Sequence, residues 1–212
     1  MSFRSAITKN RQLGRIYSQI SILLILGSSV LLSGCMSVKQ YVDPKLPKVS
    51  YADLKPVADK QAVQVFLEYQ TNGSTNAKAT EAVRPIIVDT MNKSGLFDGV
   101  KISPETADRK LYITINNFPV TKDASSKGFV TGLTFGLAGS MVTDGFLMNV
   151  SYVVPGQPEA KHSYKHALHS TIGNADGPPG LEPVPKGQAI KQVVEGLMLN
   201  MLNDLDRAGE LK

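Results

Sequence analysis

The residues that could carry covalent or metal chemistry are one cysteine and three clustered histidines. Cys35 is the chain's only cysteine and directly follows Leu32, Ser33 and Gly34. A lone cysteine in an exported protein is a loose thiol or half of an intermolecular disulfide, unless a modification consumes it. Lipidation would convert the thiol into a thioether, so Cys35 is a candidate site of lipid attachment.

The residues ahead of Cys35 have the organisation of an export signal. The basic part carries four cations and no acid: Arg4, Lys9, Arg11 and Arg15. The dense apolar part, residues 20–32, suits a signal-peptide core better than a bilayer span of about 20 residues. An uncleaved transmembrane anchor is the alternative interpretation, because no charge falls between Arg15 and Lys39.

The motif Leu32-Ser33-Gly34-Cys35 resembles the lipobox of bacterial lipoproteins. The resemblance implies that residues 1–34 are a lipoprotein signal peptide and that Cys35 is lipidated and becomes the first mature residue. It therefore implies that the partner is a membrane, to which acyl chains such as palmitate attach the protein. Met36 follows the cysteine where the family's inner-membrane members tend to carry aspartate, which favours the outer membrane and its periplasmic side.

Signal removal changes the charge of the chain. The whole sequence has 23 basic and 18 acidic residues, a formal charge of +5. Losing four basic residues and no acidic ones leaves about +1 for residues 35–212. Residues 35–212 therefore lack the strong positive charge that is typical of nucleic-acid-binding proteins, and we expect no nucleic-acid partner.

Three histidines, His162, His166 and His169, are the only cluster with metal-ligand chemistry. On a helix, spacings of four and three would place them on one face, as a metal site needs. On a strand, His162 and His166 share a face about 13 Å apart and His169 points the other way. The preceding Pro-Gly turn favours the strand, so we expect a solvated strand face and no metal site.

An uncharged segment, residues 128–143, repeats glycine at short intervals: Gly128, Gly132, Gly136 and Gly139. On a helix this spacing gives a small face that another helix can approach closely. On a strand, large side chains line one face and small ones the other. Internal packing, self-association and membrane contact therefore all remain open for this segment.

Motifs for enzymatic chemistry are missing from the sequence. There is no Gly-x-Ser-x-Gly elbow, and no lysine follows the glycines of residues 128–143 as a phosphate-binding loop would need. We therefore expect no catalytic residues, no cofactor and no enzyme activity.

The pattern of hydrophobic residues predicts one domain behind a linker. Residues 35–61 contain scattered prolines and lysines and are predicted to be a tether, part of which is apolar enough to dock. Residues 62–212 are predicted to be a single α+β domain, with two helices packed on one face of a mainly antiparallel sheet. The predicted order is β-α-β-β-(Gly-rich apolar segment)-β-β-α, with helices at residues 76–94 and 188–208. A long Gly- and Pro-rich loop, residues 173–187, precedes the last helix and is expected to be functional or mobile.

The helix end at residues 94–100, Ser-Gly-Leu-Phe-Asp-Gly-Val, with Ala107-Asp108 and the strand from Leu111, resembles small proteobacterial envelope lipoproteins. These domains are similar to the N-terminal module of TolB, to CsgG, and to ABC-transport auxiliary lipoproteins. The resemblance implies a fold and a compartment and carries over no catalytic residue.

Three functions follow as hypotheses. The first is a non-enzymatic outer-membrane lipoprotein that acts as a periplasmic interaction or assembly module, through an envelope protein partner or self-association. The second is an auxiliary lipoprotein of an envelope transport system. The third is a small hydrolase or metal-binding protein.

Replacing Gly132 and Gly136 by Leu tests the packing of the glycine-rich segment. If the segment is core, overpacking should lower the free energy of unfolding by about 1–3 kcal/mol per site, measured by urea denaturation. If it is an interface, the protein should stay folded and lose self-association or membrane contact in sedimentation. Unchanged stability together with unchanged assembly would contradict both arrangements.

Overall fold

The computed structural model describes residues 38–103, 105–120, 141–173, 175–185 and 187–211. Within these ranges one compact unit contains seven strands and two α-helices. The strands are β1 (Val38–Val42), β2 (Ala62–Thr71), β3 (Ser74–Thr75), β4 (Gly99–Ile102), β5 (Arg109–Pro119), β6 (Met141–Val153) and β7 (Ala160–Ile172). The helices are α1 (Ala77–Ser94) and α2 (Ala189–Ala208), and a short 3-10 helix spans Tyr51–Asp53.

All of these strands belong to one sheet, with the order β1-β7-β6-β5-β2-β3 and with β4 also paired to β2. Pairing is antiparallel except that β2 lies parallel to β4 and β5. The parallel pairs follow from α1, because a helix that crosses over between two strands lets the second run in the same direction as the first. The predicted α+β fold, with its strand and helix order, is confirmed.

Both helices bury an apolar stripe against one face of the sheet. Helix α1 begins at Asn76, whose side chain accepts a hydrogen bond from the Ala79 amide, and it ends at Gly95 in the left-handed conformation, φ 65°. That conformation favours glycine at the C-cap because glycine has no Cβ. Helix α2 buries Val193, Leu197 and Met201 among others at helical spacing. Alternate strand residues complete this core, including Leu111, Ile113 and Ile115 of β5.

The N-terminal segment is part of this domain from Val38 onward. Strand β1 pairs with β7 at the edge of the sheet. The chain then crosses α2, where Asn200 Nδ2 donates to the Pro47 carbonyl at 2.8 Å and the Tyr51 hydroxyl donates to Glu195 Oε1 at 2.7 Å. Burial and the neighbouring carboxylate raise the pKa of Tyr51 to about 12, so this donor keeps its proton. Residues 38–61, which the sequence analysis assigned to the tether, therefore contact the sheet and α2 in the structure.

The long loop before α2 also packs on β1. The Val184 amide donates to the Gln40 carbonyl at 2.8 Å. Gly177 lies so close to Tyr41 that an added Cβ would meet the aromatic ring at 2.3 Å. Any side chain at position 177 would require the Tyr41 ring to shift, so the described part of this loop packs closely over the edge strand.

Candidate functional site

A buried chain of three polar side chains lies where β1, β7 and β6 meet. His169 Nε2 lies 3.1 Å from Asp43 Oδ2, and His169 Nδ1 lies 2.9 Å from Thr143 Oγ1. The sheet register brings the strands together, because Tyr41, His169 and Thr143 occupy one row across β1, β7 and β6. The Asp43 amide donates to the Ala167 carbonyl at 3.0 Å, which continues the pairing one residue past β1.

The hydrogen-bond partners assign the protons in this chain. An ionised Asp43 carboxylate only accepts hydrogen bonds, so His169 Nε2 carries the proton that it shares with Asp43. In the neutral imidazole Nδ1 is then an acceptor, and the Thr143 hydroxyl donates to it. The Lys45 amide donates to the other carboxylate oxygen, Oδ1, at 2.8 Å.

Acid, imidazole and hydroxyl follow one another here in the order used by serine-type hydrolases. In that chemistry the hydroxyl must reach a substrate carbonyl. Here the exposed fraction is 0% for His169, 1% for Asp43 and 7% for Thr143. The arrangement therefore fixes β1 against β6 and β7 and offers no open nucleophile.

His166 lies on the opposite, helix-covered face of β7. It is buried, and its Nδ1 has no hydrogen-bond partner among the described residues. Burial lowers the pKa of His166 from 6.5 to about 4, and the Asp43 charge opposes this shift. His166 also lines a cavity of about 370 Å³ between the segment after β1 and helix α2, with Leu46, Gln192 and Gly196 among its neighbours. At neutral pH the imidazole that lines this cavity is therefore uncharged.

His162 has a different environment from the other two histidines. Its Nε2 lies 2.9 Å from Glu210 Oε2, and both side chains are half-buried. The predicted strand geometry is correct, since His162 and His166 share one face of β7 and His169 lies on the other. The predicted solvated face is wrong, because two of the three histidines are buried and acids from distant segments contact His162 and His169.

Within the described ranges, no group of three or more His, Cys, Asp or Glu residues is placed to hold a metal ion. Sequence reasoning did not find Asp43 or Thr143. The one available signal was that His169 is an odd number of residues from His162 and His166. On a strand it therefore lies on the opposite face from the other two histidines. Nothing in the local sequence linked it to an acid 126 positions earlier.

The face of the sheet that the helices do not cover, on which His169 also lies, carries a second candidate site. Phe66 and Tyr112 stack there with ring centroids 4.7 Å apart and planes 11° from parallel. Beside them is an open groove of about 410 Å³. Its lining includes Thr114, Asn149, Ser151, Lys161 and Ser163. An aromatic pair next to hydroxyl, amide and ammonium groups can bind a polar partner through both stacking and hydrogen bonds.

The sites predicted from sequence lie outside the described residues. These are the lipidation motif, Leu32, Ser33, Gly34 and Cys35, and the glycines at 128, 132, 136 and 139. No helix in the part of the chain that the structure describes has both the length and the apolar character needed to span a bilayer.

No protein-family model matches the chain, and no curated protein matches it. Similar solved structures include the PelC dodecamer from Paraburkholderia phytofirmans, 13% identical, covering 80% of this chain and 98% of that chain with a TM-score of 0.34. Rare lipoprotein B from Shewanella oneidensis is 9% identical and covers 69% of this chain and 92% of that chain with a TM-score of 0.32. At these scores and identities, no property of those proteins transfers to this chain.

Replacing His169 by Phe should lower the free energy of unfolding by about 3–5 kcal/mol, because the buried Asp43 carboxylate loses the imidazole that donates to its Oδ2. Urea denaturation of the purified protein measures this. His162→Phe is the matched control on the same strand. It breaks a partly solvated pair and should cost about 1 kcal/mol or less. Equal losses in the two variants would contradict the assigned role of the buried pair.

His166 should make the protein less stable in mild acid. The unfolded imidazole, with a pKa near 6.5, binds protons more readily than the folded one, with a pKa of about 4. Stability is therefore lost as pH falls from about 6.5 to 4, by about 3 kcal/mol in total. His166→Leu should remove this component from the pH dependence of the urea midpoint, whereas His162→Leu should keep it. An unchanged profile in His166→Leu would contradict the assignment.

Proposed function

We propose that this chain is a lipid-anchored outer-membrane protein that acts on the periplasmic side as a non-enzymatic interaction or assembly module. The observation that carries the proposal is the lipobox-like motif ending in Cys35, placed directly after a basic region and a short apolar core. Met36 supports the outer membrane, because aspartate at that position tends to retain lipoproteins in the inner membrane.

The distribution of surfaces supports the role of an interaction module. The helices cover one face of the sheet, and the Phe66–Tyr112 stack lies on the other face. Tyr112 is exposed on a strand in the middle of the sheet. A large exposed aromatic in such a position is typical of a surface that a partner covers.

The burial of the polar chain supports a non-enzymatic role. His169 and Asp43 are sealed from solvent, and both imidazole nitrogens already have partners. Their hydrogen bonds connect three strands, which is a structural role that accounts for these residues without a substrate.

Cys35→Ala should abolish lipid attachment and cleavage at this site, because the acceptor sulfur is gone. We expect the variant to lose labelling by a fatty-acid probe and to leave the outer-membrane fraction. Each buried CH₂ contributes about 0.8 kcal/mol, so more than one acyl chain is needed for firm anchoring. Cys35→Ser is the matched control for side-chain size and should behave like Cys35→Ala. A variant that still labels and still fractionates with the outer membrane would refute the lipoprotein assignment.

A photo-reactive phenylalanine analogue at Tyr112 tests the proposed interaction face. In intact cells it should give a discrete adduct with an envelope protein or with a second copy of the chain. The same analogue at Lys78, exposed on α1, is the control and should give no such adduct. Identical adduct patterns at the two positions would argue against an interaction site on the open face of the sheet.

A further inference from the structure

Three exposed aliphatic side chains form one patch at the end of the sheet where β1 begins. Val38, Val142 and Ile172 are 58%, 51% and 41% exposed. Val38 lies directly opposite Ile172 in the β1–β7 pair. Val142 lies opposite Ser170 in the β6–β7 pair, so it is the diagonal neighbour of Ile172 on the same face. Opposite side chains are about 5 Å apart and diagonal ones about 7–8 Å, so the three are contiguous.

The position of Cys35 places this patch near the lipid. Met36 and Ser37 are the residues between Cys35 and Val38. Three extended residues reach at most about 10 Å. A domain of this size has a radius of gyration of about 16 Å. The distance from the anchored sulfur to the first strand is therefore shorter than the radius of the domain, and the domain cannot stand clear of the bilayer.

We propose that the patch formed by Val38, Val142 and Ile172 lies in the headgroup region of the bilayer that holds Cys35. This inference rests on the proposed lipidation of Cys35. Aliphatic side chains at a membrane interface leave water and gain the free energy of apolar burial. Lys39, exposed beside Val38, supplies a cation that can meet lipid phosphates.

The contact also sets the orientation of the domain. Strand β7 ends at Ile172, so it runs toward the membrane, and Lys161 near its start lies about 35 Å away along the strand. The groove beside Tyr112, which Lys161 also lines, would then face the periplasm. The apolar patch and the groove beside Tyr112 lie in different parts of one sheet.

The two ends of β7 give a direct test. Cys35 is consumed by the lipid, so a cysteine introduced at Ile172 or at Lys161 is the sole free thiol for a fluorescent label. The lipidated full chain is reconstituted into phosphatidylethanolamine–phosphatidylglycerol vesicles that contain a lipid with a headgroup nitroxide. We expect several-fold stronger quenching for Ile172→Cys than for Lys161→Cys. Val142→Cys provides a second reporter on the patch and should behave like Ile172→Cys.

The outcomes separate this inference from the proposed function. Equal quenching at the two ends of β7, in chains that carry lipid and float with the vesicles, would overturn the membrane contact alone. A chain without lipid that does not float would overturn the proposed function and this inference with it. A disulfide between two copies through Ile172→Cys would show that a second chain covers the patch, which also overturns the membrane contact.

Discussion

The buried Asp43–His169 pair is the interaction on which the packing of the first strand and the segment after it depends. A carboxylate and an imidazole sealed from water are tolerated only when each satisfies the other, because an isolated buried charge is very costly. Here the pair fixes the end of β1 against β7, and Thr143 extends it to β6. The loop residue Gly177 then closes over Tyr41 on the same strand.

The path of the chain after Asp43 follows from this attachment. Residues 44–57 cross helix α2, and apolar side chains such as Val49, Leu54 and Val57 pack against the core. Two hydrogen bonds, from Asn200 to the Pro47 carbonyl and from Tyr51 to Glu195, connect this segment to the helix. The first strand, the segment after it and the last helix are thus one packed unit, and Cys35, the proposed site of lipid attachment, lies three residues before it in the sequence.

The local elements could be predicted because their signals are local. Alternation in Leu111, Ile113 and Ile115 identifies β5, and the spacing of Val193, Leu197 and Met201 identifies α2. The turn before β7 settled the choice between a strand and a helix for the histidines. Strand β1 could not be predicted, because five residues with a lysine and a glutamine carry no periodic signal. The Asp43–His169 contact was equally hidden, because it joins segments 126 residues apart and local propensity contains no such information.

The central claim is that the domain begins at Val38, so that only two residues separate it from Cys35, the proposed site of lipidation. Native-state hydrogen exchange of the purified protein tests this most directly, through the amides of Asp43 and Val184, which donate to Ala167 and Gln40. We predict that both amides exchange nearly as slowly as those of the central strand β5, since the segment opens only when the sheet does. Exchange of both at the rate of an unstructured peptide, with β5 still protected, would contradict the account.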